Sequence, residues 1–574
     1  MAMLIVLAYF ILWVPALLGW GAWIVLLRRQ CKVAMPVWDV LDVVLGMATL
    51  TAVAIILNFV MPVTLAVVTV AMVFGWGLCV CRCRRDGVPV GKVSQFVVLF
   101  IILAIAFIAS RMDYGYDAGF YHLPTIKWII ESALPIGLVN LHGRFGFNSS
   151  WLSLAALTRF EFEGHYFFGM SALLLCVCAM KIAQAISALR SNDGWRVSNI
   201  FVALTPMAVT AWPARVNMSS PGADLPVFVL TLLVTYLMLC AFEQPPQMIY
   251  YSCVAMVFAL FAFTIKYSAV PLVLVPLSMV FAFRQQLSFY WKRLIFFAFI
   301  VSMILVLPWL TRGVLISGCV VYPVWATCLP LQWTAPGGLA ETEITIIRSW
   351  ARVPDFPTDL TLMGWGWLLP WSKKFLASPD IVILMPLFAS GLAASFFNRD
   401  RSQLFKTLWV VAPLLLGILF WFFSAPDLRF GAGYFWAITL CVLSVGIQRV
   451  QEANVTNTLY GALQTVWLSG ITLWVSVFAI LIFALTGGAN LFKIQSMSDV
   501  MWTLPHLPTP ELSTRTTQSG VNLNVVSQDC WLTPVPCTPY FNNNLRLQTL
   551  ADGRWMFWFD SYILESPERL TRQP

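Results

Sequence analysis

Long apolar runs separated by short charged clusters set the pattern of this chain. Runs long enough for a membrane-crossing helix, about 20 residues, lie near 4–27, 39–57, 62–80, 95–110, 166–188, 197–213 and 222–242. Further runs lie near 248–265, 268–283, 294–311, 379–397, 405–424, 430–448 and 457–486, which makes fourteen. The stretch 148–158 is apolar but too short to cross, and it predicts a re-entrant or interfacial segment. The pattern predicts an all-α polytopic membrane protein with about fourteen transmembrane helices over 1–486. Residues 487–574 change character, being richer in Pro, Thr and Asn, and predict a small C-terminal extracytoplasmic domain.

Basic residues give the direction. With the N-terminus outside, the inner loops carry Arg28, Arg29, Lys32, Arg82, Arg84, Arg85, Lys92, Arg190 and Arg196, then Arg284, Lys292, Arg293, Arg399, Arg401, Lys406 and Arg449. The short outer loops carry only Arg215, Lys266 and Arg429, a sixteen-to-three asymmetry of the positive-inside kind. Both termini and the long loops 111–165 and 312–378 are then expected outside, as in a bacterial inner membrane protein.

Composition narrows the class. Only 11% of residues are charged, against about 25% in soluble domains, too few to clothe a surface in water. The net charge of +9 follows from the basic inner loops and calls for membrane lipids, not nucleic acid, as surroundings. Of 13 cysteines, four form two close pairs in the outer segments, Cys319 with Cys328 and Cys530 with Cys537. An oxidising compartment favours disulfides there.

The densest polar cluster follows the fourth run. It reads Arg111-Met-Asp113-Tyr-Gly-Tyr-Asp117-Ala-Gly-Phe-Tyr121-His122, then Lys127 and Glu131, then Asn140-Leu-His142-Gly-Arg144. Ionisable residues at a membrane boundary are functional candidates. Asp117, Asp113 and His122 are candidate acid–base groups, and the two carboxylates, four apart, share a face if helical. Tyr121, Lys127, His142 and Arg144 are candidate substrate contacts, joined by Lys266 and by Asp427 and Arg429 in Asp427-Leu-Arg429-Phe-Gly-Ala-Gly. Histidine and aspartate supply metal-type ligands, but HxxxH and HExxH spacings are missing, so no cofactor is expected and a divalent metal is the minor alternative. Loop 312–378 ends in Trp365-Gly-Trp-Leu-Leu-Pro-Trp371-Ser-Lys373-Lys374, the composition of a helix lying on headgroups.

This arrangement resembles the GT-C superfamily of polytopic glycosyltransferases, which take sugars from polyprenyl-phosphate carriers. Asp117-Ala-Gly-Phe-Tyr121 is similar to their acidic residue followed four positions later by Tyr. Ala118 stands where some members have a second acid, leaving Asp117 as the single carboxylate match. The resemblance implies an outer-face glycosyltransferase with a polyprenyl-phosphate-linked sugar donor and a glycan, lipid or protein acceptor. It implies Asp117 as base and Arg or Lys cations for the leaving phosphate. Two other readings compete: an O-antigen polymerase or ligase, and a lipid or glycolipid transporter. The first relies on arginines in a large outer loop, and 312–378 holds only Arg312, Arg348 and Arg352. The second places ionisable residues at mid-depth, whereas the polar weight here sits at the outer ends of the runs.

Overall fold

The computed structural model describes residues 2–31, 38–87, 95–110, 114–162, 164–190, 194–211, 213, 218–282, 291–353, 364–395, 401–454 and 507–559. Among these, eight helices are long and apolar enough to cross a membrane. They are Ala2–Trp20, Leu65–Asp86, Met170–Leu189, Asp224–Glu243, Pro245–Ile265, Ile295–Ser317, Lys406–Ser424 and Leu428–Glu452. A ninth span arises if the pair Leu368–Leu376 and Pro379–Ser395, bent by 72°, counts as one.

Four further apolar helices coincide with expected runs but are short: Asp42–Asn58, Val98–Ala109, Val197–Ala208 and Tyr267–Met279. Proline accounts for two of them. After Val197–Leu204 the chain tightens at Pro206 into the 3-10 turn Thr205–Thr210, and Pro271 lies in the 3-10 turn Tyr267–Val273. Each proline lacks the N–H that a continuing α-helix needs. The expected run 457–486 lies outside the described residues.

A hairpin forms the centre of the bundle. Asp224–Glu243 is apolar all round and its span is wholly buried, and the following span is nearly so, as a helix apolar on every face requires. Peripheral helices leave one apolar face open: Leu65–Asp86 exposes Val70, Val73 and Phe74. Small residues bring that helix close to Ala2–Trp20, where a Cβ on Gly19 would meet the carbonyl oxygen of Gly75 at 1.8 Å. Only glycine fits such a backbone approach.

One end of the bundle is tied by a buried charge network. Asp42, fully buried, receives the guanidinium groups of Arg28 and Arg82, the latter at 2.6 Å. Arg28 Nε donates to the Tyr250 hydroxyl at 3.1 Å, and Lys181 meets Asp39 at 3.1 Å. The network links five helices.

At the opposite end of Asp42–Asn58, the segment 114–162 folds over the bundle. Helix Leu123–Glu131 runs into short 3-10 turns, and helix Ser150–Leu157 is buried along its whole length. The short apolar stretch expected as a re-entrant or interfacial segment is therefore a helix covered by protein. The C-terminal residues described form strands and turns. Ser513–Thr516 pairs antiparallel with Asn522–Val525, which pairs in parallel with Cys537–Thr538. Leu545–Thr549 and Trp555–Phe559 form an antiparallel hairpin. Their core is shared, with Leu523, Leu545 and Phe557 packed on Trp128, Leu138 and Phe145. Asn140 Nδ2 reaches the carbonyls of Trp333 at 2.9 Å and Phe557 at 3.1 Å, bolting three segments together. Both expected disulfides, Cys319–Cys328 and Cys530–Cys537, are formed.

Replacing Asp42 leaves two buried guanidinium groups without their shared counter-charge. Asp42→Asn should lower stability by about 3–5 kcal/mol, read as a lower thermal midpoint in detergent, while Asp42→Glu recovers part of the loss. An unchanged midpoint in the Asn variant would show that the network does not hold the bundle.

Candidate functional site

Asp117 stands immediately before a single π-helical turn, Ala118–His122, which passes directly into helix Leu123–Glu131. Such turns widen a helix by one residue and often mark functional sites. Here the turn carries Tyr121 and His122 beside Asp117. Arg429, at the start of helix Leu428–Asn454, brings Nη1 to 3.5 Å from Asp117 Oδ2. The two residues are 312 positions apart in the chain.

Two further ion pairs complete the group. Lys266, between helix Met248–Ile265 and the following 3-10 turn, pairs with Asp224 at the first turn of Asp224–Glu243. Its ammonium lies 3.9 Å above the Phe430 ring, and the Arg429 guanidinium lies 4.6 Å from the same ring. Both cations therefore share one aromatic ring, which favours positive charge there. Arg144 meets Glu343 at 2.8 Å and sits over Phe147. A recess opens beside Asp224 and Arg429, lined also by Thr231, Ser268, Phe430 and Tyr434.

The electrostatics follow from this crowding. Burial pushes the Asp117 carboxyl up, and His122, Arg429, Arg144 and Lys266 outweigh it, so the group sits below its usual range. Burial drives the His122 imidazole down to about 4 despite the neighbouring carboxylates. At neutral pH His122 is thus uncharged, and the fixed cations keep Asp117 ionised. His122 Nδ1 is buried with no hydrogen-bond partner among the described residues.

The structure sorts the expected site residues into three groups. Asp117, Tyr121, His122, Arg144, Lys266 and Arg429 share one electrostatic neighbourhood. Asp427 serves it through the backbone, accepting the Arg429 N–H at 2.9 Å, and so orients the helix start. Lys127 and His142 are placed differently. Lys127 pairs with Glu131 at 2.8 Å, one helical turn along its own helix. His142 is stacked on Tyr540 at 5.1 Å and packed edge-on to Phe120, a buried aromatic role. Asp113 lies outside the described residues. Arg312 is buried against the Asn148 side chain at 2.7 Å, away from the ion pairs named above.

Asp224 and Glu343 were missed by the sequence reading. Asp224 had a signal: it opens an apolar run at the end where Lys266 and Arg429 also sit. Glu343 had little, because it lies on an amphipathic helix, Leu339–Arg352, with other charges. Among the described residues, no three His, Cys, Asp or Glu converge in a way that could hold a metal.

Residues 3–436 match a family model described as a domain of unknown function, DUF8201. The chain belongs to that family. The match spans most of the bundle and includes all the ion pairs just described, so the DUF8201 region contains Asp117, Asp224, Lys266 and Arg429. The strands after 507 lie beyond it. No curated protein matches the chain, and neither does any solved structure.

The buried histidines give this DUF8201 chain a pH dependence with a fixed sign. Burial lowers His122 from 6.5 to about 4 and His142 from 6.5 to about 3. Between those values and 6.5 the unfolded chain binds protons that the folded one refuses, so stability falls as pH drops. The thermal midpoint should be highest above pH 6.5 and decline toward pH 4, with a shallower decline in His142→Phe. A midpoint that rose on acidification would contradict the buried neutral imidazoles.

Proposed function

We propose that this protein is a membrane glycosyltransferase of GT-C type. It moves a sugar from a polyprenyl-phosphate donor to an acceptor hydroxyl on a glycan, lipid or protein at the outer face of a bacterial inner membrane. The observation that supports this is the convergence of Asp117 with Arg429, 3.5 Å apart, flanked by the Lys266–Asp224 and Arg144–Glu343 pairs. An ionised carboxylate beside several cations at the edge of an apolar bundle suits both halves of such a transfer.

The chemistry assigns each group a task. Asp117 accepts the proton of the acceptor hydroxyl as its oxygen bonds to the sugar carbon, while the bond from that carbon to the phosphate oxygen breaks. Arg429 and Lys266 take the charge that develops on the departing phosphate through charge-assisted hydrogen bonds. Three carboxyl groups face three cations in these pairs. An arriving phosphate must therefore compete with carboxylates for its partners. When it takes Arg429, Asp117 loses its ion pair and becomes a free acceptor for the hydroxyl proton. Donor binding then switches the base on.

The topology that accompanies this reading has about fourteen spans, with both termini and the loops 111–165 and 312–378 outside. The two disulfides, one in loop 312–378 and one after residue 507, suit that compartment. Single cysteines introduced at positions 92 and 117 of a cysteine-free background should label from opposite sides of sealed vesicles. Labelling from one side would overturn the orientation.

The activity itself is read with a labelled polyprenyl-phosphate sugar and protein in lipid discs. Asp117→Asn should lower turnover by about 10²–10⁴ and bind the donor more tightly than wild type, because the competing carboxylate charge is gone. Arg429→Ala should raise donor KM or lower turnover by more than about tenfold, the scale of one charge-assisted bond. Wild-type turnover in Asp117→Asn would remove the base assignment. Absence of transfer from every polyprenyl-phosphate sugar tried would remove the function.

A further inference from the structure

The C-terminal segment reaches the π-helical turn that follows Asp117 through Trp531 and through Tyr540, whose ring lies 6.3 Å from that of Phe120. The backbone N–H of Trp531 donates to the carbonyl of Gly119 at 3.0 Å. Its indole lies flat against the same residue: a Cβ on Gly119 would fall 2.5 Å from Trp531 Cε2 and 2.7 Å from Cζ2. No residue larger than glycine fits between the turn and the ring.

Trp531 is itself held in an unusual state. Its φ is +48°, in the left-handed region, and it is the one non-glycine residue with positive φ among those described. A bulky residue adopts that conformation only where its surroundings over-determine it. The surroundings are specific. The Cys530–Cys537 disulfide closes the loop around it, and Thr538 Oγ1 beyond the loop donates to the Leu141 carbonyl at 3.0 Å. Ile136 exchanges backbone hydrogen bonds with the hairpin, donating its N–H to the Trp555 carbonyl and accepting the Phe557 N–H. Tyr540 stacks on His142. The strands are thus anchored to the 134–142 segment and present Trp531 to the turn from a fixed base.

We propose that Trp531 is a positioning residue: the disulfide-closed loop 530–537 presses its indole on Gly119 and fixes the π-helical turn so that Asp117 faces Arg429. The assignment of Asp117 as base rests on the glycosyltransferase reading, but the mechanical coupling does not. The C-terminal unit, which lies outside the DUF8201 match, then acts as a brace for a site built entirely within it. A π-helical turn is a local departure from the regular α-helix, so an external brace decides whether the carboxylate at its N-terminal end keeps one direction.

Hydrogen exchange on the full-length protein in detergent tests the coupling without needing turnover. Trp531→Ala should speed exchange of the amides over 117–123 by about tenfold or more, leave helices 224–243 and 248–265 unchanged, and lower turnover with little effect on donor KM. Trp531→Phe, which keeps a ring, should recover much of the protection. Gly119→Ala introduces the collision and should also loosen the turn. The double variant Gly119→Ala with Trp531→Ala relieves the collision without restoring the brace, so it should exchange as fast as Trp531→Ala alone. Unchanged protection in Trp531→Ala would overturn the proposal. So would loss of protection across the whole bundle, or a double variant as protected as wild type. If wild-type protein transfers no sugar while Trp531→Ala loosens only this turn, the glycosyltransferase reading fails and the brace stands.

Discussion

An ionised side chain beside hydrocarbon must find a counter-charge, because leaving it buried and alone costs several kcal/mol. That constraint shapes both ends of this bundle, with different results. At one end Asp42 sits fully buried between Arg28 and Arg82, with Lys181 and Asp39 alongside. Those groups are enclosed and joined to one another by hydrogen bonds, which makes a knot. At the other end Asp117 and Arg429 keep about a third of their side-chain surface open. Their contact is single and long. A pair of that kind can exchange partners, and the exchange is what the proposed reaction uses.

Much of the architecture was legible in the chain, and the reason is that lipid-facing and core-facing helices both need apolar length. The span starts near 166, 222, 248 and 430 all fall close to real helices. Two of the expected runs form only short apolar helices, and Pro206 and Pro271 interrupt them. The interior position of Ser150–Leu157 was not legible. Hydropathy gives the length of a segment but not whether protein or lipid covers it, and here protein does.

The site was legible in its residue types and not in its pairings. Asp117 and Arg429 meet across 312 residues, a contact that no local spacing encodes. The Lys127–Glu131 pair, by contrast, has the ordinary spacing of one helical turn and belonged to its own helix from the start. His142 drew attention as a rare imidazole in a polar stretch, yet its neighbours Phe120, Phe145 and Tyr540 come from three places and make it an aromatic packing residue. Sequence revealed which groups could do chemistry at this end. Only the fold revealed which of them face each other.

The same logic explains why an exchangeable ion pair needs rigid surroundings. If Asp117 is to be released when a phosphate takes Arg429, it must stay in place after the partner leaves, and the ion pair cannot be what holds it there. The supports must be independent of charge. Arg429 has one in Asp427, which fixes its backbone amide at the helix start. Asp117 lies immediately before a π-helical turn, and a charge-independent support of that turn is the indole of Trp531 on Gly119. A loose electrostatic contact between two separately braced residues can switch without losing geometry. The docking of the C-terminal strands on the 134–142 segment is, on this argument, part of the site's construction, because it supplies the one support that the bundle does not provide.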